Sequence, residues 1–187
     1  TDILDSTFRD CNAITAPGSN LSGTKVLTPT VAADTSAVVW NVATDPDGKL
    51  NNMTFSKGTN AHHAIDFGTS VTGNITLRGI EFTGFGSTGD SNDSTVRFLA
   101  TTGSLTLSLI GCTVNGSAAT TSNFSVDDAA GIVVTLSIAP VTFTVTVRDL
   151  ETSALIEKAR VMVPVTSGAN FPYQVVVTSI TGLGTTA

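Results

Sequence analysis

Charge is scarce in this chain. Only 13% of its 187 residues are Asp, Glu, Lys or Arg, about half the usual share. Lys and Arg number 9 against 15 Asp and Glu, a formal net charge of −6. A duplex nucleic-acid binder needs a basic face, and this composition supplies none. So few lysines also give little attraction to anionic membranes. No apolar run approaches the roughly 20 residues of a membrane span, so no membrane insertion is expected. Cysteine is rare too: Cys11 and Cys112 are the only two, too few for a disulfide framework. The chain has no Cys/His metal spacing, no phosphate-binding glycine loop and no Ser/His/Asp arrangement.

What the chain does contain is Ser and Thr, together roughly a quarter of the residues, with 17 Gly and 41% hydrophobic residues. That mixture favours many short strands joined by polar turns and disfavours helices. One domain or two small ones fit this length.

A six-residue figure recurs four times, starting at Ile3, Leu50, Leu77 and Leu109. Its first position is Ile3, Leu50, Leu77 or Leu109, and its third is Asp5, Asn52, Gly79 or Gly111. Its fourth is Ser6, Met53, Ile80 or Cys112, and its sixth Phe8, Phe55, Phe82 or Val114. Positions four and six lie two apart and face the same way on a strand. Position three holds only residues that tolerate a left-handed corner. Two short strands, a corner and stacked apolar columns describe one coil of a β-solenoid. The intervals are 47, 27 and 32 residues. Coils of this kind take roughly 20–30 residues, so the first interval hides one more. The sequence starting at Leu21 is a poor candidate for it, because Thr24 places a hydroxyl in the inward fourth column.

Residues 1–15 read as part of a coil, and 16–36 as loop plus one irregular coil. Segments 38–42, 64–67 and 96–99 form a third stacked strand of successive coils, and Phe124-Ser125-Val126 a fourth member. Residues 86–94 form a polar loop leaving the stack. Near Ala139-Pro140 the pattern changes. Residues 141–148, 159–163 and 173–178 alternate as an antiparallel meander with one wet face. Because Thr1 already lies beside a repeat, the chain is expected to begin in mid-structure. The N-terminal end of the stack is expected to need a cover from a neighbouring subunit or from upstream chain.

On the Leu-x-(Asn/Gly)-x-x-Phe figure, residues 1–138 resemble the right-handed parallel β-helix proteins, the pectate-lyase-like group that includes phage tailspikes and many adhesins. On residues 145–152 followed by 156–161, residues 144–187 resemble the transthyretin-like or carboxypeptidase-regulatory-like β-sandwich. The expected fold is therefore all-β: a right-handed parallel β-helix of about four to five irregular coils over 1–138, then a small antiparallel Ig-like sandwich over 139–187. Together the two modules resemble a structural virion protein of a tailed phage, in its tail, fibre, neck or capsid decoration. The resemblance implies copies of itself and other virion proteins as partners, a host-surface glycan as a further one, and a place in the extracellular particle. Two alternatives stay open: a carbohydrate-binding or -cleaving tailspike, and a secreted bacterial adhesin or surface-layer module.

Candidate chemistry is sparse. Pectate lyases of the resembled fold bind calcium through acidic residues on an outer sheet and use a nearby Arg as base. Here the outward columns offer only Arg78 and Glu81, read as an ion pair or as solvated side chains. A glycoside hydrolase needs two carboxylates facing one bond, and no aligned pair appears. Residues 45–48, Asp-Pro-Asp-Gly, read as a turn and lack the later ligands of a calcium loop. Asp90 and Asp93 sit together in the polar loop, the one weak cation candidate. His62 and His63 are adjacent, so on a strand they diverge and cannot chelate together. Six Asn-x-Ser/Thr sequons, at Asn20, Asn52, Asn74, Asn92, Asn115 and Asn123, follow from the Ser/Thr-rich composition. The expectation is a non-enzymatic protein with no catalytic, cofactor-binding or metal residues and no cofactor.

Overall fold

The computed structural model describes residues 2–15, 17–86, 88–139, 143–154, 156, 160–164, 173–177 and 183–186. It is all-β among these residues, and the chain divides into two compact units, Thr1–Ala139 and Pro140–Ala187.

The first unit is a β-solenoid of about four turns built from three sheets. Its first sheet stacks Thr7–Arg9, Lys25–Leu27, Thr54–Ser56, Glu81–Thr83 and Thr113–Val114 in parallel. A short antiparallel return, Ser117–Ala118, covers the far edge of this sheet. The second sheet holds Ile75–Arg78, Ser104–Ile110 and Val133–Ala139. The third stacks Ile14–Thr15, Ser36–Trp40, His63–Phe67, Val96–Phe98 and Val126–Asp127.

The expected columns are present. Leu50, Leu77 and Leu109 are fully buried, as are Met53, Ile80, Phe55 and Phe82. Phe8, Val26, Phe55, Phe82 and Val114 stand in one register row. Within it the Phe55 and Phe82 rings stack at 5.6 Å with 7° between planes. In the third sheet Trp40, Phe67 and Phe98 form a second row, with the last two rings 4.7 Å apart. Like therefore packs on like across coils, the nearest-neighbour arrangement that stabilises a solenoid.

The corner column is left-handed throughout. Asp5, Gly23, Asn52, Gly79 and Gly111 have φ between 50° and 73°. Each corner amide donates to a carbonyl of the following coil: Asp5 to Ser22, Gly23 to Asn51, Asn52 to Arg78, Gly79 to Ile110 and Gly111 to Ala139. Over the first four corners, side chains alternate with their absence. A Cβ at Gly23 would strike the Asp5 carboxylate, and one at Gly79 the Asn52 amide oxygen. A second left-handed corner, not evident in the sequence, follows the first sheet at Asp10, Thr28, Gly84 and Asn115. Thr28 is β-branched and rarely tolerates this conformation; its hydroxyl donates to Asp10 at 2.6 Å.

The coil beginning at Leu21 corrects the sequence reading. Leu21 and Val26 are in the core, Gly23 is the corner, and Lys25–Leu27 is the paired strand. Thr24 is fully buried, and its hydroxyl donates to the Ile3 carbonyl at 3.0 Å. A buried hydroxyl costs little when it has a partner. The excursion over 86–94 is closed at its base by a bridge between Gly86 and Ser94, and Ser94 is fully buried.

In the second unit, Arg160–Pro164 pairs antiparallel with Tyr173–Val177. Among the described residues Phe143–Thr146 pairs antiparallel with Leu183–Thr186, a pairing that the expected simple meander does not contain. Several residues assigned to these strands from sequence, such as Val141, Ala159 and Thr178, lie outside the described residues.

Two outcomes follow. Gly79→Ala should lower unfolding stability by at least about 1 kcal/mol, through left-handed strain and the Asn52 contact. Thr24→Val should cost about 1–3 kcal/mol, because it leaves the Ile3 carbonyl without its donor; denaturant titration measures both. Cys11 and Cys112 are free, and Cys112 is buried with its thiol pKa pushed up by that burial. A thiol reagent should therefore label half-buried Cys11 in the native protein and reach Cys112 only after unfolding.

Candidate functional site

The third sheet carries the densest group of ionisable side chains described. At its centre is Arg97, in the strand Val96–Phe98. In register on either side of it stand Asp66 and Asp127. The guanidinium forks onto Asp66, with Nε to Oδ1 at 3.0 Å and Nη2 to Oδ2 at 2.7 Å. Its Nη1 reaches the backbone oxygen of Asp34 at 2.9 Å and Asp34 Oδ1 at 2.7 Å. Asp66 is buried, and a two-bonded Arg–carboxylate fork is the arrangement that keeps such a charge satisfied.

His63 opens the strand His63–Phe67 and is fully buried. Its Nε2 lies 3.5 Å from Asp34 Oδ1 and 4.0 Å from Asp127 Oδ2. These three ligand atoms lie within 4.8 Å of one another, the one such grouping of His, Cys, Asp and Glu found among the described residues. The remaining Asp127 oxygen, Oδ1, accepts from the Ala129 amide at 3.1 Å. The cluster thus draws its members from separate coils. Stacking supplies the proximity, and the unequal coil lengths hide it in the linear spacing.

The two histidines diverge, as expected from their adjacency, and neither is solvated. The Gly58 amide donates to His62 Nε2 at 3.0 Å, so Nδ1 carries the proton and donates to the His63 carbonyl at 2.8 Å. The His62 ring meets Phe85 edge-on at 5.6 Å. Burial holds its pKa below the ordinary imidazole value.

The other candidates fall elsewhere. Arg78 pairs with Asp47, its Nε 2.9 Å from Oδ1 and 3.0 Å from Oδ2, while Glu81 is exposed on the first sheet. Residues 45–48 form the turn read from sequence. Asp45 Oδ1 accepts from the Asp47 and Thr76 amides, so that carboxylate caps local and neighbouring backbone. Asp93 is bonded to Lys57 at 2.7 Å, and Asp90 Oδ1 accepts from the Asp128 amide at 3.3 Å. The sequon side chains of Asn20, Asn74, Asn115 and Asn123 accept backbone amides of turns or of the next coil. Trp40 is in the core, its indole N–H donating to the Thr44 carbonyl at 3.1 Å.

The Lys57 hydrogen bond holds the Asp93 carboxyl below its ordinary value of 3.8. A carboxylate with a lowered folded-state pKa contributes stability above its unfolded value and loses it as pH falls through the folded one. Acid titration of native stability should therefore be flatter below about pH 4 in Asp93→Asn than in the unaltered protein. An unchanged acid slope would remove Asp93 from the acid response.

The chain matches no protein-family model, and no curated protein and no solved structure is detectably similar to it.

Proposed function

We propose that this protein is a non-enzymatic structural component, a rigid rod or platform of the right-handed parallel β-helix type, within the virion of a tailed phage. The second unit acts as a docking or display module of the Ig-like or transthyretin-like sort. The observation that carries the scaffold reading is the strand Val133–Ala139. It is seven residues long, has no charged residue, and forms the edge of its sheet among the described residues. Val133 is 61% exposed, while Val134, Leu136 and Ile138 are only partly buried against the core. Uncharged edge strands of this length invite a further strand unless something covers them. Such an edge suits a protein built to join others like itself or its virion partners.

Burial of the aromatics favours a scaffold over a sugar-binding spike. In the first unit every described aromatic is in the core except half-buried Phe8, which leaves none outside to stack on a sugar ring. The phage assignment itself rests on the resemblance of the repeat figure and on the pairing of two all-β units.

Light scattering of the native protein should show a closed oligomer or a large particle. Thr135→Lys with Ser137→Lys, both on the exposed side of the edge strand, should shift that assembly to smaller species while leaving the fold intact. A stable monomer near the 19.1 kDa chain mass, unresponsive to these changes, would overturn the docking reading.

A further inference from the structure

His63 presents a buried nitrogen that has no hydrogen-bond partner among the described residues. Its Nδ1 lies 2.8 Å from the Ser94 carbonyl oxygen. A carbonyl only accepts, so Nδ1 carries the proton and the neutral ring leaves a lone pair on Nε2. That atom is fully buried without a hydrogen-bond partner. It faces Asp34 Oδ1 at 3.5 Å and Asp127 Oδ2 at 4.0 Å. Both separations exceed the roughly 3.2 Å reach of an ordinary N–H···O bond. A lone pair turned towards two carboxylates is repulsive, and a cation placed among the three atoms reverses the sign of that interaction.

We propose that Asp34, His63 and Asp127 bind a divalent transition-metal ion of the zinc type, which ties separate coils of the solenoid together. The separations fit. Bonds of about 2.0–2.2 Å at a tetrahedral angle place ligand atoms about 3.3–3.6 Å apart. The Asp34 pair already stands at that distance, and the Asp127 oxygen needs to close by about 0.5 Å. The charge also fits. Asp34, Asp66 and Asp127 face one guanidinium, Arg97, an excess of negative charge that a dication offsets.

The surroundings are those of a supported site. The Ser94 carbonyl fixes the His63 tautomer, Arg97 steadies Asp34, and the Ala129 amide holds Asp127 Oδ1 so that Oδ2 is the free oxygen. Such outer contacts orient ligands and tune affinity. One imidazole and two carboxylates favour a first-row transition ion over calcium or magnesium, which take mostly oxygen ligands in larger number. Asp34 precedes the strand Ser36–Trp40, His63 opens His63–Phe67, and Asp127 ends Val126–Asp127. The ion would thus bridge elements that are distant in the chain, a structural role independent of how the protein assembles.

The test is calorimetric titration of chelator-treated protein with Zn2+, in a Cys11→Ser background so that the half-buried thiol does not compete. One ion should bind per chain, and the unfolding temperature should rise with Zn2+ and not with equal Ca2+ or Mg2+. Asp127→Asn and Asp34→Asn should each weaken binding at least tenfold, with far-UV circular dichroism confirming the fold. Asp34 is exposed enough that its replacement keeps the test sound if Asp127→Asn unfolds. Cobalt substitution should give the visible absorption of a four-coordinate site. Absence of saturable binding, or binding unaffected by both substitutions, would overturn the proposal and leave a proton on Nε2 as the cation between the carboxylates.

Discussion

Every coil of the first unit has to turn a left-handed corner at the same place, and the rest of the solenoid depends on that constraint. The corner amides of Asp5, Gly23, Asn52, Gly79 and Gly111 carry the inter-coil hydrogen bonding past the bend. Without them the ladder would break between the first and second sheets, leaving buried backbone groups unpaired. The alternation of side chain and glycine has the same origin. Asp5 projects over Gly23 and Asn52 over Gly79, so each polar side chain occupies the space left open by the glycine beside it. The leucine before the corner and the phenylalanine after it then fall into register coil after coil.

Much of this was legible in the sequence because it is local. A corner residue type and three inward positions at fixed offsets mark each coil, and Leu50, Leu77 and Leu109 all proved to be core. Thr24 was misread because its acceptability depends on a partner outside its own segment. The Ile3 carbonyl turns an apparent defect into a satisfied buried group. The second corner was missed for a related reason: Asp10, Thr28, Gly84 and Asn115 share no residue type, and only their backbone geometry unites them.

The ionic cluster shows the same limit more sharply. Asp34, His63, Asp66, Arg97 and Asp127 follow no common offset from the repeat. Asp66 and Arg97 fall in segments read as neighbouring strands, but loops of unequal length hide their register and the places of Asp34, His63 and Asp127. The adjacency of His62 and His63 was informative only about what they do not do together. Their different fates are set by tertiary neighbours: one ring is locked by Gly58 and Phe85, the other turned towards carboxylates.

The direction of the hydrogen bonds has a mechanical consequence. Bonds between stacked strands run along the axis of a solenoid, and each coil bonds only to its neighbours. Tension along that axis therefore passes through every junction in series. The breaking force is that of the weakest junction, and adding turns lengthens the rod without strengthening it. Among the described strands that junction lies between the first two coils, where Thr7–Arg9 and Ile14–Thr15 pair over three and two residues and the second sheet contributes no strand. Under load the first coil peels away before the ring-stacked coils behind it yield.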